Sequence, residues 1–117
     1  MAELTSGGDA ARALDVLVAA AQAAGATALT HFRLGGPTSA RVFWKEGGSP
    51  VTVADHEADA YLRERLLHAF PQAGWLSEET ADDPARLTRR QVLVVDPIDG
   101  TRAFMRGDAR WAVCAAL

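Results

Sequence analysis

A single cysteine, Cys114, in 117 residues excludes an internal disulfide. Such sparing use fits a reducing compartment, so a cytoplasmic location is expected. Long apolar runs are missing too: no segment has the ~18 uninterrupted apolar residues that a transmembrane helix needs. Met1 to Gly8 lack the basic opening of a secretory signal, and Asp15 and Gln22 interrupt the apolar stretch that follows. Basic charge is scarce. Twelve Lys and Arg against fifteen Asp and Glu leave a net charge of −3 with no basic stripe, so neither a nucleic-acid polymer nor a membrane is an expected partner. His31, His56 and His68 show no metal-ligand spacing and read as surface or edge residues. There is no internal repeat and no low-complexity tract.

What is present is an ordinary globular composition, 49% hydrophobic and 23% charged, in a chain long enough for one domain. Residues 1–8 read as a flexible tail closed by Gly7-Gly8, and residues 9–117 as the structured part. Asp9 is the expected N-cap of a first helix, with Leu14, Leu17, Val18, Ala21, Ala28, Leu29 and Phe32 on its apolar face. Gly35-Gly36-Pro37 should end it. Val42-Phe43-Trp44 can form a short strand, and Gly47 to Pro50 a mobile turn.

A second helix is expected from Thr52, with Ala54, Ala58, Tyr61, Leu62, Leu66, Ala69 and Phe70 inward and Pro71 closing it. Gly74 to Ser77 reads as a strand, and the polar connection after it has room for one helical turn. Gln91 to Val95, nearly all apolar and β-branched, reads as a strand buried on both faces that ends at Asp96. Trp44, Trp75, Trp111 and Phe104 are expected to pack. The chain stops in "RWAVCAAL", a strand without a following turn, so it is expected to be the N-terminal part of a longer protein. Two helices followed by strands predict a layered α/β domain.

Acidic residues fall at telling places in this order. Asp55 opens the second helix, Glu78-Glu79 follow a strand, and Asp96 and Asp99 follow the apolar strand. Ligands of α/β sheets gather beyond the carboxyl ends of strands. Carboxylates brought together there repel one another unless cations join them, and oxygen donors without His or Cys favour Mg²⁺ over zinc. In "DPIDGT" Pro97 fixes the turn, the Ile98 carbonyl can add an oxygen, and Gly100 permits close approach of a ligand. Gly100-Thr101 would open a short helix whose free amides suit a phosphate. The Thr101 hydroxyl could pass a proton toward Asp55, leaving a metal-bound water as nucleophile. Taken singly, each feature has a plainer reading: a turn, a capping box at Thr52-Val-Ala-Asp55, solvated glutamates, an exposed Lys45. Their joint occurrence favours chemistry.

"KEGGSPVTVAD" (45–55), "WLSEET" (75–80) and "VVDPIDGTRAFMRG" (94–107) together resemble the inositol monophosphatase superfamily of lithium-sensitive, Mg²⁺-dependent phosphatases. The resemblance implies the N-terminal portion of a layered αβαβα sugar-phosphatase fold. It implies two or three Mg²⁺ ions and a small phosphorylated substrate. Glu78, Asp96 and the Ile98 carbonyl would hold the first ion; Asp96 and Asp99 would hold the second. Asp55 and Thr101 would activate water, with Glu78 beside them in the catalytic set. Gly100 and Thr101 would bind phosphate, and Lys45 and Glu79 would support the site. Relatives of this kind are commonly dimers. A 3′(2′),5′-bisphosphate nucleotidase acting on adenosine 3′,5′-bisphosphate is the nearest reading, with inositol-1-monophosphatase and inositol-type histidinol phosphatase as alternatives. The family's downstream Trp-Asp metal ligand lies outside these 117 residues, so an inactive fragment serving as a binding or remnant module is the further alternative.

Overall fold

Ser6 opens the first helix. Its Oγ accepts the Asp9 amide, and helix α1 runs Gly7–Leu29. The computed structural model describes residue 4 and residues 6–117. Of the expected tail, residues 1–3 and 5 lie outside the described residues, Leu4 packs against the core, and Gly7 and Gly8 are helical. Asp9, the expected cap, stands instead in the first turn, where its charge favours the helix dipole.

The buried stripe of α1 is Ala13, Leu17, Ala20, Ala24 and Ala28, at helical steps of four and three. Leu14, Val18 and Leu29, expected inside, are exposed by 59%, 46% and 57%. Small side chains let α1 lie close against helix α2, Val53–Ala69, and strand β5, Ala112–Ala116, so the stripe is chosen by fit rather than by size. By length and mean hydropathy α1 could cross a membrane, but this inner stripe is packed within the chain. The helix stops at Leu29, well before Gly35. Residues 30–40 then loop back over helix α3, Thr101–Arg106, with Gly35 N–H on the Gly107 carbonyl and Thr38 N–H on that of Met105, both at 2.8 Å.

Strand β1, Val42–Trp44, forms as expected. It pairs antiparallel with an unforeseen strand β2, Pro50–Thr52, too short for any periodicity to announce. Thr52 then caps helix α2, Val53–Ala69, which buries Ala54, Ala58, Leu62 and Leu66. Strand β3 is Gly74–Ser77, and a single 3-10 turn covers Pro84–Thr88. Strand β4 is Val92–Asp99, helix α3 Thr101–Arg106 and strand β5 Ala112–Ala116. The sheet order is β3-β4-β5, with β3 parallel and β5 antiparallel to β4. Helices α1 and α2 cover one face, closing a core around Leu17, Leu62, Leu66, Phe70, Leu93 and Val95. This is the N-terminal portion of the layered α/β fold that the sequence implied.

Two expectations for β4 need correction. The strand does not end at Asp96 but continues to Asp99 through a bulge: Asp96 pairs with Cys114 and Asp99 with Ala112, so three steps on β4 meet two on β5. Pro97, which has no N–H to give a ladder, sits inside it. Nor is β4 buried on both faces, because Val94 is 48% exposed on the side away from the helices. Of the aromatic residues expected to pack, Phe104 and Trp75 are buried, and Trp111 stands edge-on to Phe104 at 4.9 Å. Trp44 is 61% exposed and lies under the Arg102 guanidinium instead.

Candidate active site

Because β3 and β4 run parallel, their carboxyl ends emerge at the same edge of the sheet. Glu78 leaves β3 there with its N–H on the Val95 carbonyl, and β4 delivers Asp96, Ile98 and Asp99 beside it. The hairpin β1–β2 comes up opposite. Between them lies a cleft of about 290 Å³, lined by Lys45, Glu78, Glu79, Asp96, Ile98 and Thr101, with Gly100 and Arg102 at its end.

Gly100 has φ +94°, and a Cβ there would stand 2.8 Å from the Arg110 carbonyl oxygen. No side chain is possible at this corner, where α3 begins. The turn aims the Thr101 hydroxyl into the interior, 2.8 Å from Asp55 Oδ1 and 3.2 Å from the Ile98 carbonyl. Asp55 is wholly buried. Its Oδ2 accepts the Thr52 N–H at 2.8 Å and the Thr52 hydroxyl at 2.7 Å, completing a capping box. The cap and the Thr101 contact therefore use different oxygens of one carboxylate. Thr52 fixes its direction, and a hydroxyl 46 residues further on meets it.

The cleft is electrostatically tense. Burial first, then Asp99, Glu78, Glu79 and Asp55, push the Asp96 carboxyl up to about 6. Burial also raises Glu79, which the ammonium of Lys45, 3.4 Å from its Oε1, partly offsets. Lys45 is thus an ion-pair partner rather than a free surface lysine. Asp99 is exposed and does not line the cleft, although it is the foremost charge acting on Asp96. Carboxylates and a carbonyl, without His or Cys, match a hard divalent cation in kind. Among the described residues, however, no three acidic, His or Cys side chains stand close enough to hold an ion by themselves.

Sequence reasoning missed four residues here. Asp59, four positions after Asp55 and hence on the same face of α2, is only 8% exposed. It accepts the hydroxyls of Ser77 and Thr80, which flank the two glutamates. A carboxylate between Ala58 and Leu62 on a buried stripe was the available signal. Arg102 donates to the Gly48 carbonyl at 3.2 Å, tying α3 to the hairpin turn. Nothing in the sequence beyond its place next to Thr101 points to it.

Known proteins resemble this chain in sequence and in fold. The model of the inositol monophosphatase family matches residues 9–117. A histidinol-phosphatase of Chlorobaculum parvum is 36% identical over 104 residues, 89% of this chain and 38% of that protein. The 3′(2′),5′-bisphosphate nucleotidase CysQ of Aggregatibacter actinomycetemcomitans is 36% identical over 74% of this chain and 33% of its own. The crystal structure of extragenic suppressor protein suhB from Bartonella henselae superposes with a TM-score of 0.76 at 30% identity, covering 90% of this chain and 39% of the other. The chain thus spans about a third of the length of the relatives it matches.

Proposed function

We propose, since this chain belongs to the inositol monophosphatase family, that the natural protein carrying it hydrolyses a small phosphate monoester with divalent cations, Mg²⁺ foremost, at this cleft. The observation that carries the reading is the 2.8 Å contact of Thr101 Oγ1 with buried Asp55, at the edge of a cleft lined by Glu78, Asp96 and the Ile98 residue. Glu78, Asp96 and the Ile98 carbonyl would hold one ion, and Asp96 would hold another together with Asp99, which lies outside the cleft lining. Bound there, the cations would polarise the phosphate and acidify the attacking water. Mg²⁺ keeps several waters of its own, which suits a site without a three-carboxylate cage.

The chain's own residues then have defined tasks. Asp55, held by Thr52, accepts the hydroxyl hydrogen of Thr101, which leaves a Thr101 lone pair to take the proton of the water. Gly100 and Thr101 present backbone amides to the phosphate. Lys45 and Glu79 neutralise each other at the cleft wall.

For the substrate, "GWLSEE" and "DPIDGTRAF" favour adenosine 3′,5′-bisphosphate. A second reading, histidinol phosphate, draws on the greater coverage of this chain by the histidinol-phosphatase, 89% against 74% at equal identity. Both substrates, with inositol 1-phosphate as the third, should be offered to the natural protein with Mg²⁺, with EDTA and with added lithium. Turnover of one ester that EDTA abolishes and lithium lowers is the expected result. Turnover that EDTA leaves intact would sink the metal-dependent reading.

A further inference from the structure

Asp59 has no part in the chemistry just assigned, yet it is a buried carboxylate whose described partners are hydroxyls rather than cations. Burying a charge without a counter-ion is costly unless hydrogen bonds replace its water. An apolar side chain at the same place on α2 would carry no such cost. The hydrogen bonds around it have a fixed sense. The Trp75 indole N–H donates to Thr80 Oγ1 at 3.2 Å, so the Thr80 hydroxyl turns its own hydrogen to Asp59 Oδ2, 2.5 Å away. The Glu79 backbone N–H donates to Ser77 Oγ at 3.3 Å, and that hydroxyl in turn donates to Asp59 Oδ1. Each hydroxyl thus has its oxygen engaged by an N–H and its hydrogen on Asp59, one on each oxygen of the carboxylate.

Resting on the function proposed above, we infer that Asp59 is the positioning residue for the Glu78-Glu79 segment. It clamps the segment from the helix side through Ser77 and Thr80, while Glu78 N–H on the Val95 carbonyl holds it from the sheet side. Two carboxylates of one helix face therefore divide the work. Asp55 meets the hydroxyl of α3, and Asp59, one turn on, sets the glutamates that line the cleft. An asparagine at 59 keeps one acceptor oxygen and puts an NH2 in place of the other, so one of the two hydroxyls loses its acceptor and must turn its hydrogen elsewhere.

The test is Mn²⁺ binding, followed by electron paramagnetic resonance, to the natural protein and its variants, with circular dichroism to verify folding. Asp59→Asn should weaken Mn²⁺ binding about tenfold, the lower end of what the partners of metal ligands contribute. The Mg²⁺ concentration for half-maximal turnover should rise in step, with kcat at saturating Mg²⁺ changed far less. Should Asp59→Asn fail to fold, Thr80→Val removes one arm and should also weaken Mn²⁺, whereas Thr80→Ser should keep the wild-type affinity. Wild type and folded variants binding Mn²⁺ equally would overturn the role of Asp59 alone. Absence of Mn²⁺ binding by the wild type would overturn the metal-dependent function and this role together.

Discussion

Gly107 shows how much one position can require. Its φ is +82°, and a Cβ built there would lie 2.4 Å from the Arg33 carbonyl oxygen and from Gly36 backbone atoms. Gly107→Ala combines left-handed strain with a clash against backbone, so a loss of about 2–4 kcal/mol is expected, read as a lowered midpoint in urea. Thr101 requires a hydroxyl rather than a space. In the natural protein Thr101→Ala should lower kcat by about a hundredfold or more with little change in KM, and Thr101→Ser should restore most of it, the split expected when proton transfer is what is lost. Asp96 carries a signed pH dependence. Its folded carboxyl titrates near 6 against an ordinary 3.8, burial being the main cause, so the folded chain holds that proton more tightly than the unfolded chain does. Its contribution to stability is full below about 4 and is lost as pH rises through 6. In EDTA, Asp96→Asn should therefore raise Tm at pH 7.5 and leave it unchanged at pH 3.5, as thermal melts at the two pH values would show. A higher Tm at both would point to packing rather than charge.

At the level of elements, β4 is the informative one. Val95 faces the helices at 2% exposure and Val94 faces away at 48%. Val95→Ala should cost about 1–3 kcal/mol and Val94→Ala less than about 0.5, compared by chemical denaturation. Equal losses would mean that the outer face is covered in solution. The same strand shows what the sequence could tell. "QVLVV" announced a strand, but an apolar run does not say which face lacks a cover, and a bulge leaves no periodic trace. Helix α2 was legible nearly residue by residue, Tyr61 excepted, which was expected inward and is 37% exposed, because Thr52, Asp55 and the apolar spacing agree on where it starts and which side is inward. Helix α1 was legible as a helix but not in phase. Its inner stripe is mostly alanine, which scores weakly in any pattern weighted by size. The acidic positions could be picked out because each follows an apolar run, although β4 extends past Asp96 and its parallel pairing with β3 was not foreseen. Asp59 could not be singled out so easily, since its value depends on hydroxyls from another element.

For the molecule as a whole, the arrangement is a helical layer on one face of a mixed sheet, with the cleft at the sheet's edge between β-strand ends and hairpin. The acidic residues there arrive from three segments, Asp55 on α2, Glu78 and Glu79 after β3, and Asp96 and Asp99 on β4, so the site exists only once the sheet, α2 and the hairpin have docked. The tie between Arg102 and Gly48 links two of these parts, α3 and the hairpin. The parallel register of β3 and β4, Gly74 with Val92 through Ser77 with Val95, has an evolutionary corollary. Relative placement of the glutamates and the aspartates is set by that ladder and not by the stretch of chain joining the strands. Length changes in the solvent-facing excursion around residues 81–90 are therefore expected to leave the spacing of the cleft's carboxylates in place, giving natural variation room at the surface.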